Sequence, residues 1–377
     1  MAPDPADPSW LPDRQLAVAL AHADALADTM CHILYDYLQP GPLSFETVAD
    51  GDLAHVKVRH IAPLPPAVSR YAADVLTQLR AAVEHAVYAE VEFALGRELT
   101  PEEAGRVEMP AATSAKSFTD WLNGRRRKQL APLRDGSELV RRIRALQPYH
   151  RRDTDEHPLR VLAQHTNLTK HRTPAVAAVR LGRVNTWPLN DPDIVVGADG
   201  APLRVGTVLA TGPLHKRVPL DIWPTVAIQR PHTGEWKVIA KELGTLSEWV
   251  RTVAIPVLVT GDAGMEPRLP ARIDLTRGWG DPREAVSAGD PVQADERFVI
   301  RIQARHGRGS LVEILLLHPE ATSATTIRDW VGGLRDEEVI AHLDALGRAA
   351  KRGPIEAGDA CLEVIRLAEG SGQPPRG

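Results

Sequence analysis

Residues 67 to 95 constrain the fold more than any other segment of the chain. Val68, Ala72, Val75, Leu79, Val83 and Ala86 recur at three- and four-residue intervals, which places them on one apolar stripe of a helix. Pro63, Pro65 and Pro66 break the chain before this run, and Gly96 stands where a stop is needed. The spacing predicts a long amphipathic helix from about Ala67 to Leu95. A second helix is expected over 13–38, where Leu16, Leu20, Ala23, Leu26, Met30, Ile33, Leu34 and Tyr37 keep a similar period before Pro40-Gly41-Pro42. Between the two lie alternating runs, Leu43 to Val48 and Ala54 to His60, joined through Ala49-Asp50-Gly51-Asp52. Asp-Gly between alternating runs predicts a β-hairpin.

Further helices are expected over 117–131, 137–147 and 158–170. After Pro174 the pattern changes. Short strands are expected at 176–183, 194–196, 204–211, 225–230 and 236–241, separated by turn residues such as Thr233-Gly234. Leu246 to Thr260 starts in helical register. Phe298–Arg305 and Leu311–Leu317 read as two strands around His306-Gly307-Arg308-Gly309-Ser310, and 335–350 and 358–367 as helices. The tail from Gly370 reads as disordered. The expected class is α+β: a mainly helical N-terminal half with a hairpin (1–175), a β-rich middle (176–320) and C-terminal helices with a tail (321–377).

Composition narrows the function. A chain of 377 residues, 43% apolar and 25% charged, is an ordinary globular one with room for two or three domains. Its two cysteines, Cys31 and Cys361, are too far apart in sequence for a zinc ribbon and too few for a disulfide framework. Met1 to Trp10 is acidic and proline-rich, unlike a signal peptide, and no apolar run approaches the roughly 20 residues of a membrane helix. These features predict a cytoplasmic protein with no membrane association. Arg outnumbers Lys 37 to 8, a bias typical of GC-rich bacterial genomes.

Charge is unevenly spread. Lys116 to Arg172 holds 14 Lys or Arg against 6 Asp or Glu, a net of +8 in a chain whose total is −4. A basic block in an acidic chain suits a surface that meets phosphate. It equally suits a pair of solvated helices whose arginines meet carboxylates elsewhere in the fold.

Walker A, G-x-G-x-x-G, G-x-S-x-G, H-E-x-x-H and C-x-x-C patterns are all absent, and no cofactor is expected. His157, His165 and His171 have spacings of eight and six, which match no compact metal-ligand pattern. The remaining chemistry lies in Arg80-Ala81-Ala82-Val83-Glu84-His85. An Arg followed by His after four residues on a helix resembles the R-x4-H signature of HEPN-type ribonucleases. That resemblance implies metal-independent RNA cleavage, with His85 as general acid or base, Arg80 stabilising charge on the phosphorus and Glu84 orienting one of them. The spacing occurs four times in this chain (Arg80/His85, Arg152/His157, Arg160/His165 and Arg301/His306), so it does not by itself single out the first. Five residues also turn an ideal helix by about 140°. A phosphate shared by Arg80 and His85 therefore needs the reach of Arg or the second subunit of a homodimer.

Residues 13–175 also resemble an uncharacterised bacterial family with a helix, a hairpin, a proline-rich break and a helix reading roughly G-D-x-L-x-x-L-R-x-A-L-D-H, followed by Q-P-Y and D-K-H-R segments. Asp74, Leu76, Leu79, Arg80, Ala82 and His85 match, as do Gln147-Pro148-Tyr149 and Lys170-His171-Arg172; Ala73, Val83, Glu84 and Thr169 depart from the pattern. The resemblance speaks to fold and grouping, since the family has no established activity. It makes Asp74, Lys170, His171 and Arg172 candidate binding residues beside Arg80, Glu84 and His85. Two functions compete: an RNA-directed protein or ribonuclease, and a non-enzymatic binding or scaffold protein using the basic 116–172 surface. In the second, Arg80 and His85 belong to a buried polar network that ties helices together.

Overall fold

A computed structural model describes residues 14–124, 129–171, 175–186, 191–197, 200–217, 219–263, 269–321 and 323–370. The protein is α+β, with helices first, strands in the middle and helices at the end. Helix α1 (Arg14–Leu38) leads into the hairpin β1 (Leu43–Asp50) and β2 (Leu53–Ile61), and then into α2 (Pro66–Leu95). Gly51 turns the hairpin with φ 58°, a conformation that costs glycine little. Pro66 occupies the first turn of α2, where its missing N–H is no loss. Gly96 closes the helix in the left-handed region with φ 64°.

Short helices α3 (Pro101–Ala104), α4 (Ala115–Leu122), α5 (Glu138–Ala145) and α6 (Pro158–His171) follow. The helix expected over 117–131 stops early: α4 ends at Leu122, residues 125–128 lie outside the described residues, and Ala131–Leu133 is a single 3-10 turn.

The strands β3 (Ala177–Thr186), β4 (Val195–Val196), β5 (Val208–Pro213), β6 (Leu220–Gln229) and β7 (Trp236–Val238) form two antiparallel sheets with the first hairpin. One has the order β1-β2-β5-β4 and the other β3-β6-β7. Because β2 pairs with β5, with His55 opposite Thr211 and Val56 opposite Ala210, the N-terminal hairpin and the β-rich middle share one sheet. After β7 the chain turns helical at once through α7 (Ile239–Trp249), a π turn (Val250–Ala254) and α8 (Ile255–Thr260). The strand expected over 236–241 thus ends three residues early. Helix α9 (Pro282–Ser287) follows.

The apolar stripe of α2 is fully used. Val68, Ala72, Val75, Leu79, Val83 and Ala86 are all buried, with α1 along one side and α6, α7 and α8 against others. Contacts divide the chain into two compact units, 1–295 and 296–377, so the helical N-terminal half and the strands fall in the same unit.

The second unit corrects the sequence reading. Residues 298–317 form no hairpin; 298–316 belong to α10 (Ala294–Leu316), which is helical throughout. Phe298, Ile300, Ile302 and Ala304 alternate, but burial follows Ala304, Leu311 and Leu315, at intervals of seven and four, and that is a helical stripe. Gly307 imitates a turn signal but serves close packing: a Cβ there would lie 2.4 Å from Leu343 Cδ1. Arg308 is tied down by Val331 O (2.6 Å), Leu334 O and Asp336 Oδ1 (both 2.8 Å). It thereby satisfies carbonyls at the end of α11 (Ala324–Gly333) and the first residue of α12 (Asp336–Arg352). Helix α13 (Pro354–Gly370) completes the unit and takes in Gly370, the first residue of the tail read as disordered; the rest of that tail lies outside the described residues, as do Met1 to Trp10.

Candidate functional site: the cleft between α2 and α6

The four α2 residues singled out by the sequence separate into two groups. Asp74 and His85 are exposed, on parts of α2 away from the cleft described below. Arg80 and Glu84 lie one turn apart and form an ion pair. Arg80 Nη2 also donates to the Met109 carbonyl, and Glu84 Oε2 accepts from Met109 N at 2.6 Å. One ion pair thus takes both the N–H and the C=O of a single residue 25 positions downstream. The rest of that loop is tied from just beyond α5: Gln147, completely buried, accepts from Ala112 N and donates to Ile143 O, each at 2.9 Å. Tyr149 packs near Phe118, which stacks on Trp121 at 5.5 Å between ring centroids. The Q-P-Y segment and the Arg80/Glu84 pair, far apart in sequence, therefore hold the same loop, 108–113.

This loop forms one wall of an open cleft of about 530 Å³. Arg80 and Glu84 enter it from α2, Ser117 and Trp121 from α4, and Arg160, Gln164 and Asn167 from α6. The three α6 residues stand at i, i+4 and i+7, one face of a helix. Arg80 Nη1 and Arg160 Nε are buried nitrogens with no hydrogen-bond acceptor among the described residues. Arg160 has only Asp155 Oδ1, at 3.6 Å, beyond hydrogen-bonding range. The carboxylates of the cleft are already engaged, Glu84 with Arg80 and Met109 N and Glu108 with Trp121 Nε1 at 3.1 Å. The cleft is therefore lined by two guanidinium groups, whose unpaired nitrogens are themselves buried, and by carboxylates that are already engaged.

The opposite face of α6 is closed. His157 and His165 are buried, and burial pulls the pKa of each down to about 4. Arg151 and His150 add to this at His157, and His232 and Arg230 at His165. Both imidazoles are therefore neutral at physiological pH. Beside them Arg230 makes a bidentate pair with buried Glu242 (2.6 and 3.1 Å) and meets Glu156 at 2.7 Å. The Glu156 carboxyl is held at about 2, chiefly by its hydrogen bond from Arg230. Among the described residues, no group of three or more His, Cys, Asp or Glu is placed to hold a metal ion.

Much of the basic block is neutralised locally. Lys116 pairs with Asp120, Arg141 with Glu138, Arg144 with Asp135, and Arg142 with Glu138 and Glu90. Arg151 and Arg152 are exposed without a carboxylate partner among the described residues. The side chains of Lys170 and His171, and all of Arg172, lie outside the described residues. Among those residues no helix is long and apolar enough to cross a membrane.

The sequence reading missed Arg160, Gln164 and Asn167 as a set. Their signal was a polar stripe on a helix whose other face is apolar and buried. No protein-family model, curated protein or solved structure matches the chain.

Proposed function

We propose that this is an RNA-directed protein of the bacterial cytoplasm that binds a phosphate of its ligand in the α2–α6 cleft. One observation carries the reading: two guanidinium groups from different helices line one open cleft whose carboxylates are already engaged. A phosphate oxygen is an acceptor that guanidinium geometry suits well. The resemblance of Arg80 and His85 to R-x4-H supports RNA as the ligand class. The exposed Arg151 and Arg152 supply positive charge elsewhere in the basic block.

Metal-independent cleavage is the stricter form of this reading. His85 is exposed and is not part of the cleft that Arg80 lines, so the pair acts on one phosphate only if a second copy of the chain brings its His85 to the cleft. Binding needs no such partner.

The test is fluorescence anisotropy with a labelled single-stranded oligoribonucleotide at two salt concentrations, run beside a cleavage assay in EDTA. Arg160→Ala should weaken binding about tenfold and flatten its salt dependence. Cleavage that His85→Ala abolishes would establish the ribonuclease form. Native protein that binds no RNA at low salt, or binding indifferent to Arg160→Ala and Arg80→Ala alike, would overturn the proposal.

A further inference from the structure

The α6 stripe holds more than a phosphate contact. Gln164 and Asn167 follow Arg160 on the same face and line the same cleft. Gln164 is half-buried and Asn167 exposed, and neither amide is used by another described residue. Side-chain amides at helix positions usually serve the backbone or solvent; here two stand within one turn of each other in a cleft that Arg80 and Arg160 also line. From Arg160 to Asn167 the helix rises by about 10 Å, comparable to the run of one nucleotide from its phosphate to the edge of its base.

Resting on the phosphate reading above, we propose that Gln164 and Asn167 read the base of the nucleotide whose phosphate Arg80 and Arg160 hold, and that the favoured base is adenine in single-stranded RNA. A carboxamide presents one donor and one acceptor side by side. Adenine offers the complementary pair on two edges, N6–H with N7 and N6–H with N1, so two adjacent amides both find a partner on one base. The Hoogsteen (major-groove) edge of guanine is two acceptors, which suit Arg or Lys, and only its Watson–Crick edge, with N1–H beside O6, pairs with an amide. Cytosine and uracil each carry one donor–acceptor edge, enough for a single amide. Base edges are accessible in this way only where the strand is unpaired. The neutral amides add selectivity without charge, so base preference and salt-dependent affinity belong to different side chains.

The experiment compares labelled homopolymeric oligoribonucleotides of A, U and C, titrated with the native protein, with Arg160→Ala and with the double variant Gln164→Ala/Asn167→Ala. Thermal melts confirm that each protein is folded. The native protein should bind oligo(A) about tenfold more tightly than oligo(U) or oligo(C), the worth of one good bidentate contact. The double variant should bring the three affinities within about twofold of one another, with oligo(A) weakened the most. Arg160→Ala should weaken all three and keep their order. Equal native affinity for the three polymers, or an A preference that survives in the double variant, overturns the base assignment and leaves the phosphate reading standing. Native protein that binds none of them overturns both.

Discussion

Arg160 and Arg230 are the same side chain in two surroundings. Arg230 is almost completely buried, yet it meets Glu242 through two nitrogens and Glu156 through a third. Arg160 is partly exposed, and its nearest carboxylate is too far away for a hydrogen bond. In the first case two carboxylates hold the cation inside the fold, although its Nη1 is itself buried without a hydrogen-bond acceptor among the described residues; in the second the nearest carboxylate is out of hydrogen-bonding range. Charge count alone cannot separate the two, and exposure alone would point to neither as a ligand site. What separates the two is whether close carboxylates hold the cation: Arg230 has them at 2.6 and 2.7 Å, Arg160 has one at 3.6 Å.

The comparison is broken or sharpened by substitution. The largest effect is expected at Arg230: replacement by Ala leaves Glu242 buried without its cation and should cost about 3–5 kcal/mol of stability, read as a fall in denaturation midpoint. A loss below 1 kcal/mol would mean the network is no more structural than the cleft. Glu84→Ala comes next. It removes the partner of Met109 N and of Arg80 together, and about 1–3 kcal/mol should be lost, with faster proteolysis within 108–113.

The pH dependence has a third, intermediate size. Glu90 is buried beside Arg142, and burial outweighs that cation and raises its pKa to about 7. A raised folded-state pKa contributes stability below the unfolded value near 4.5 that is lost as pH rises through 7. Between pH 5 and 8 the native protein should therefore lose about 1–3 kcal/mol relative to Glu90→Gln, measured by denaturant titration at both pH values. His157 and His165 act in the opposite sense. Their pKa values are depressed to about 4, so the stability from keeping them neutral is present above 6.5 and is lost as pH falls towards 4. The smallest effect belongs to Arg160→Ala, whose stability change should stay within about 0.5 kcal/mol while RNA binding weakens. Should it destabilise as much as Arg230→Ala, Arg160 is structural after all.

The sequence showed elements better than the connections between them. The α2 stripe and the Asp-Gly hairpin were legible because each is decided within a few residues by periodicity or turn chemistry. Helix α10 was not, because Phe298 to Ala304 satisfies a period of two as well as of three and four, and Leu343, 36 residues beyond Gly307, explains the glycine. Arg80 and Glu84 were legible as residues of interest but not in their role, since their partner Met109 lies in a loop with no pattern of its own. Gln147 belongs to the same case: its value lies in a bond to Ala112 that no local spacing announces. The polar stripe of α6 was visible in the sequence, but only burial of the opposite face gave it meaning.

Loop 108–113 is fixed at Met109 through both backbone groups and at Ala112 through Gln147. A wall anchored at these points does not have to assemble around a ligand. Association with the cleft should then be a single kinetic phase whose observed rate rises linearly with ligand concentration, with no plateau from a preceding conformational step. Cutting one anchor, as in Gln147→Ala, should introduce that plateau and slow the on-rate before it changes which ligand is bound.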